Sequence, residues 1–160
     1  MKTLHLLRHA KSDWGTSAVD HDRPLNARGD KARHVIAAHV TDWPIDLVVS
    51  STAIRARLTA EPVATMVGCP LETSKAIYDA RAEDLLRAVQ ELPDSAETVL
   101  LVGHNPGMEE IAWLLTGEPC TFTTAALGTV SLDVGSWLDC RPRCGHLIEL
   151  VNAKTLTGSG

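Results

Sequence analysis

Apolar runs of strand length alternate along this chain with longer segments of helical period, the pattern of an α/β domain with a largely parallel sheet. Residues 3–7 form the first such run. After a polar loop rich in Asp, Ser and Gly, Pro24-Leu25-Asn26 reads as a helix entry with Asn26 as cap, leading into a helix over residues 31–40. Residues 47–49 make a second strand, bounded by Asp46 and the cluster Ser50-Ser51-Thr52. Thr52 is placed to cap the next helix, which carries Ile54, Leu58 and Val63 and is expected to bend or break at Pro62. A short strand over 71–73 precedes a helix over 82–92, where Leu85, Leu86 and Val89 form an apolar stripe and Pro93 stops it. Residues 98–102, Thr-Val-Leu-Leu-Val, are continuously apolar and read as a strand buried on both faces. Gly103 to Gly107 turns into a helix over 108–115. Residues 128–134 and 146–151 close the domain as a hairpin. One domain over 1–153 is expected, with a frayed tail over 154–160.

At 160 residues with 44% hydrophobic content the chain is long enough to bury its own core. Its net charge of −5 and 4% aromatic content argue against a nucleic-acid partner, which asks for a basic face and stacking rings. The apolar part of residues 1–8 is too short, and too soon interrupted by charge, for a signal peptide or a membrane span; a cytoplasmic protein without membrane contact is expected. In that setting Cys69, Cys120, Cys140 and Cys144 read as reduced thiols. Cys140, Cys144 and His146 match no common zinc spacing, so no metal is assigned to them.

In open α/β sheets ligands bind beyond the carboxyl ends of the strands. Strand one ends in Arg8-His9-Ala10-Lys11-Ser12, strand two leads through Ser50 and Ser51 to Arg55 and Arg57, and the buried strand ends in Gly103-His104-Asn105. Two arginine-bearing segments and two histidines thus face one crevice. Cations near helix N-termini oppose the helix dipole, and an anion relieves that conflict. A phosphoryl group is such an anion, since guanidinium forks grip its oxygens in pairs. The same set suits phosphoryl transfer, with His9 as nucleophile and Arg8, Arg55 and His104 neutralising the phosphoryl oxygens, so no cofactor or metal is required.

These residues resemble the histidine phosphatase superfamily, and within it the small SixA-type phosphohistidine phosphatases. Leu7-Arg8-His9-Ala10-Lys11 looks like the opening Arg-His motif and implies His9 as nucleophile with Arg8 in the phosphate pocket. Residues 50–56, Ser-Ser-Thr-Ala-Ile-Arg-Ala, are similar to the segment bearing the second pocket arginine, here Arg55. Gly103-His104-Asn105-Pro106 is similar to the segment of the second histidine, and Asn105 joins Arg8, His9, Arg55 and His104 as a phosphate-binding residue. Asp22-Arg23-Pro24-Leu25-Asn26, followed by Gly29, and Ala10 in place of a frequent Gly both look like the SixA-type branch. The resemblance implies a phosphoglycerate mutase-like fold of three layers, a mostly parallel central sheet with helices on both faces.

It further implies a metal-independent hydrolase of phosphoric monoesters or phosphoramidates. Between Thr73 and Ala82 there is no long insertion, so the pocket is expected to be open. Larger relatives place a leaving-group acid in this region; here the near match is Asp79, with Glu83 close behind. Asp79 reads equally as that catalytic acid or as the N-cap of the following helix. An open pocket and a weak acid favour a protein-borne phosphohistidine, whose imidazole leaves easily, over a small phosphomonoester. Three other readings compete: a small-molecule phosphomonoesterase of the same superfamily, a metal-dependent phosphoesterase using His5, His9, His21 and Asp13, and a non-catalytic module that binds phosphorylated protein.

Overall fold

The computed structural model describes residues 1–157. Six strands form one sheet in the order β3-β2-β4-β1-β5-β6. They are β1 (Lys2–Arg8), β2 (Leu47–Ser51), β3 (Leu71–Ser74), β4 (Thr98–Gly103), β5 (Ala126–Leu132) and β6 (Gly145–Asn152). Strands β1 to β4 pair in parallel, and β5 and β6 join antiparallel as the predicted hairpin. Among the described residues five α-helices accompany the sheet: α1 (Ala27–His39), α2 (Ile54–Val67), α3 (Ala82–Gln90), α4 (Gly107–Thr116) and α5 (Ala153–Thr157).

Alternation along the strands divides the core in two. Leu4, Leu6, Val99, Leu101, Leu47 and Val49 pack with the apolar sides of α3 and α4 and with the buried Trp137. Leu7, Leu100, Val102 and Val48 turn to the other face, where they meet Ile36 and Ala37 of α1 and Ala56, Ala60 and Val63 of α2. The central strands are therefore apolar on both faces, which is why their sequence runs are continuous. The result is the three-layer arrangement expected from the sequence.

Several local details differ from the expectations. Helix α1 starts at Ala27, four residues early, because Asn26 accepts a hydrogen bond from the Gly29 amide at 2.8 Å and fixes the first turn there. Thr52 does not cap α2: the N-cap position is Ala53, and Thr52 Oγ1 instead pairs with His21 Nε2 at 2.9 Å. Helix α2 runs unbroken through Pro62. A proline removes the hydrogen bond to the carbonyl four residues back; here that carbonyl belongs to Leu58, and Arg33 of α1 donates to it at 3.0 Å. Finally, residues 154–157 of the expected frayed tail belong to helix α5, held to Asn152 by the Thr155 amide and to the α1 side of the core by Leu156. Residues 158–160 lie outside the described residues.

Candidate active site

Strand register assembles the site. Arg8 of β1 lies opposite Gly103 of β4, so the next residues in each chain, His9 and His104, are neighbours; their ring centroids are 5.2 Å apart. Ser50 of β2 lies opposite Val102, which brings Ser51 beside His104, and Ser51 Oγ is 2.8 Å from His104 Nε2. The His9 amide donates to the Gly103 carbonyl at 3.1 Å, so the ladder continues one residue, to His9 itself.

Behind His9 the backbone is tied down. The Ala10 amide donates to Thr59 Oγ1 of α2 at 3.0 Å, and that hydroxyl donates to the Arg55 carbonyl at 2.8 Å. The buried Gly29 lets α1 approach the Lys11 backbone so closely that a Cβ there would fall 2.0 Å from the Lys11 carbonyl oxygen.

A cleft of about 440 Å³ opens at this end of the sheet, lined by Arg8, His9, Arg55, His104, Asn105 and Asp79 together with residues absent from the predicted set: Lys11, Ser12, Trp14, Asp20, Arg23, Tyr78 and Thr124. Arg57 is exposed and is not part of it. Four cationic side chains meet two carboxylates there, an excess that a phosphate dianion would balance.

Each guanidinium is braced from behind. Arg8 Nη1 donates to the Phe122 carbonyl at 2.9 Å. Arg55 donates twice to Asp20, to its carbonyl at 2.6 Å and its carboxylate at 3.1 Å. Arg23 donates to the other Asp20 oxygen at 3.0 Å and to Ser12 Oγ, with its guanidinium 3.5 Å from the Trp14 ring centroid. Tyr78 donates to Asp20 at 2.6 Å. That hydroxyl, with Arg23 and Arg55, holds the Asp20 carboxyl below the usual carboxylate range. Asp20 is thus an anion fixed as an anchor for the cup. The Nε atoms of Arg8, Arg23 and Arg55 and Nδ1 of His104 are buried without a partner among the described residues, a set of donors suited to the oxygens of one oxyanion.

Both histidines are neutral at physiological pH. Burial pushes His9 down to about 3, against the opposing effect of the Ala10 carbonyl and reinforced by His104, Arg55 and Arg8. Burial and then Arg55 bring His104 to about 4. The tautomers follow from the partners. His9 Nδ1 lies 2.7 Å from the Ala10 carbonyl, which can only accept, so Nδ1 carries the proton and Nε2 the lone pair. Ser51 Oγ already accepts from the Ala53 amide at 3.1 Å. Its own proton has no other acceptor among the described residues, and donating it to His104 Nε2 leaves Nδ1–H as the free donor.

Asn105 lines the cleft, but its amide protons go to the Phe122 carbonyl at 2.8 Å and to Glu109 Oε2 at 3.2 Å. The remaining Oδ1 is an acceptor, which a phosphate oxygen would not approach. Its side chain braces the carbonyl that braces Arg8, so the two amide protons expected to serve a phosphate are already engaged. Asp79 sits exposed at the cleft with φ of 54°. It does not cap α3, whose N-cap position is Arg81, with Asp84 accepting from the Arg81 amide at 3.1 Å. The ligands of the metal-dependent reading are scattered: His5 lies within β1 against Thr129 and Trp43, and His21 pairs with Thr52.

A three-layer fold with a cationic cup around a neutral histidine at the strand ends defines a phosphoryl-handling α/β protein. The family model of the histidine phosphatase superfamily (branch 1) matches residues 4–85, and the chain belongs to that superfamily as a phosphatase. Its place within the superfamily is the SixA-type branch. A structure of a protein assigned as phosphohistidine phosphatase SixA from Agrobacterium tumefaciens is 30% identical, with a TM-score of 0.79 over 94% of this chain and 97% of that one. One from Nakamurella multipartitia, so assigned as well, is 26% identical with a TM-score of 0.83, over 94% and 95%. An uncharacterised protein of Mycobacterium tuberculosis is 29% identical over 155 residues, spanning 89% of this chain and 96% of its own length.

Proposed function

We propose that this phosphatase removes phosphate from phosphohistidine on a protein, passing it through a phosphohistidine formed on His9. The observation that carries the reading is the neutral His9 ring, proton on Nδ1 and lone pair on Nε2, beside the buried donors of Arg8, Arg55 and His104. In the first step Nε2 attacks phosphorus in line as the substrate P–N bond breaks; the leaving imidazole departs with that electron pair and takes up a proton. Water then attacks the phosphorus on His9, releasing inorganic phosphate and restoring the Nε2 lone pair. The guanidinium groups and His104 Nδ1–H bear the charge of the equatorial oxygens in both steps, fixed before the reaction by Asp20, Phe122 and Ser51.

Two features favour this substrate. Only residues 75–81 separate β3 from α3, one turn of 3₁₀ helix included, so no insertion covers the cleft and a protein surface can approach it. Asp79, exposed at the cleft, is assigned as the acid for leaving groups that need a proton. A leaving imidazole tolerates weak acid catalysis far better than an alkoxide does. The names of the SixA-type structures point the same way. The test is kcat/KM on a phosphohistidine protein, an aryl phosphate and a sugar phosphate, for the wild type and Asp79→Asn. Phosphohistidine should lead, with turnover barely altered in the variant. A sugar phosphate preferred by about tenfold, with that activity collapsing in Asp79→Asn, would make this a small-molecule phosphomonoesterase; about 1.4 kcal/mol of discrimination separates the outcomes.

A further inference from the structure

Next to the active cleft runs a second groove of about 630 Å³, which shares Lys11 and Thr124 with it as common wall. Its rim carries four cations, Lys11, Arg28, Lys31 and Lys154, and among the described residues no acidic side chain lines it. That is unusual for a chain of net charge −5. These four side chains are exposed and, among the described residues, none forms an ion pair, whereas Arg33 on the same helix is paired with Asp30 at 2.9 Å. The groove also has apolar parts, Ala32 and Val35 of α1 and Ala153 of α5. A compact polyphosphate would use the rim and leave these parts empty; an extended polypeptide with acidic and apolar side chains uses both.

We infer that this groove receives an acidic, partly apolar segment of the phosphoprotein, flanking the phosphohistidine that enters the catalytic cleft. The inference rests on the phosphohistidine reading above. It adds a determinant of which protein is dephosphorylated: the cup recognises the phosphoryl group, and the groove recognises the sequence or surface beside it. Because these charges are exposed, their attraction acts mainly on encounter and KM and is weakened by salt.

The test uses Arg28→Glu/Lys31→Glu, a pair outside the catalytic cleft. Acidic residues in the first turns of α1 suit its dipole, so the helix is retained. The substrates are two phosphohistidine peptides of equal length, one flanked by Glu and Leu and one by Lys and Ser, and p-nitrophenyl phosphate as the small substrate. The wild type should favour the acidic peptide by about tenfold or more in KM, and the preference should shrink in about 0.5 M salt. In the double variant it should vanish while p-nitrophenyl phosphate kinetics stay unchanged. Equal KM for both peptides in the wild type, or equal loss on p-nitrophenyl phosphate in the variant, would overturn the inference.

Binding of the unphosphorylated, fluorescently labelled Glu/Leu peptide separates this from failure of the underlying reading. If the enzyme hydrolyses p-nitrophenyl phosphate and neither phosphohistidine peptide, the phosphohistidine reading falls; the groove still stands if the labelled peptide binds the wild type and not the variant. Absence of peptide binding, or a groove that takes tripolyphosphate and not the peptide, overturns the groove itself.

Discussion

The carboxylate of Asp20 lies 3.1 Å from Nη2 of Arg55 while its backbone carbonyl takes Nη1 of the same guanidinium at 2.6 Å. One residue of the loop after β1 thereby fixes the orientation of the arginine supplied by α2. The contact positions Arg55 and also removes one positive charge from the cup. Asp20→Ala should therefore lower kcat by about ten- to a hundredfold through misplacement, while inorganic phosphate inhibits as strongly as before or more so. Steady-state kinetics with phosphate as competitor would show the split. An unchanged kcat would mean that Arg55 needs no anchor.

A similar dependence links Ser51 and His104. Without the Ser51 hydroxyl at 2.8 Å, His104 Nε2 loses the partner that fixes its tautomer. Ser51→Ala should cost about tenfold or more in kcat/KM and, because the buried Ala53 amide also loses its acceptor, about 1–3 kcal/mol of folding stability. Wild-type kinetics in this variant would show that the proton on His104 Nδ1 is set elsewhere.

Stability should fall on acidification. Burial lowers His5, His9 and His104 to about 4, 3 and 4 in the folded state. The unfolded chain titrates them near about 6.5. Between these values the unfolded state holds more protons, so the stabilisation from neutral histidines is complete above that unfolded pKa and is lost as pH drops toward the folded ones. The slope is up to about 1.4 kcal/mol per pH unit for each histidine. Urea midpoints measured at about pH 7.5 and about pH 5 should differ clearly, the acidic one being lower. A flat profile would contradict the burial of neutral rings.

Gly29→Ala tests how the loop behind His9 is held. The new Cβ would meet the Lys11 carbonyl oxygen at 2.0 Å, backbone against backbone, so α1 or the loop must shift. Overpacking of this kind costs about 1–3 kcal/mol, and the shift should reduce kcat as well as Tm. Thermal melts with parallel activity assays check both; a variant as stable and active as the wild type would show that the contact yields freely.

Much of this was legible in the residues, for identifiable reasons. The continuous apolar run over 98–102 announces a central strand, and Asn26 before a helical period announces its cap. His9, Arg8, Arg55 and His104 follow from the rule that strand ends carry chemistry, and the register places all four in one cleft. What stayed hidden depends on contacts between distant segments. Pro62 reads as a helix breaker because the partner of the carbonyl it frees, Arg33, is on another helix. Serines seldom announce a strand, yet Ser50 and Ser51 extend β2 because they pair with β3, and Ser50 with β4 as well. Asp20, Arg23 and Tyr78 come from irregular segments with no period to flag them; the Asp22-Arg23-Pro24 string was visible, but its arginine gains a role only when Asp20, Ser12 and Trp14 surround it. For Asn105 the sequence showed proximity to His104 and not the direction of its amide.

The most direct measurement is to trap the intermediate on His9. Wild-type enzyme mixed rapidly with a ³²P-labelled phosphohistidine protein and quenched in alkali, which preserves phosphohistidine, should carry label on the peptide that contains His9, in an amount that rises and decays with turnover. His9→Ala should carry none and should lose at least about three orders of magnitude in rate. Label on His9 that decays at the rate of phosphate release is the predicted result. An unlabelled wild-type enzyme that still turns over, or a His9→Ala variant with near-normal activity, would contradict the account at its centre.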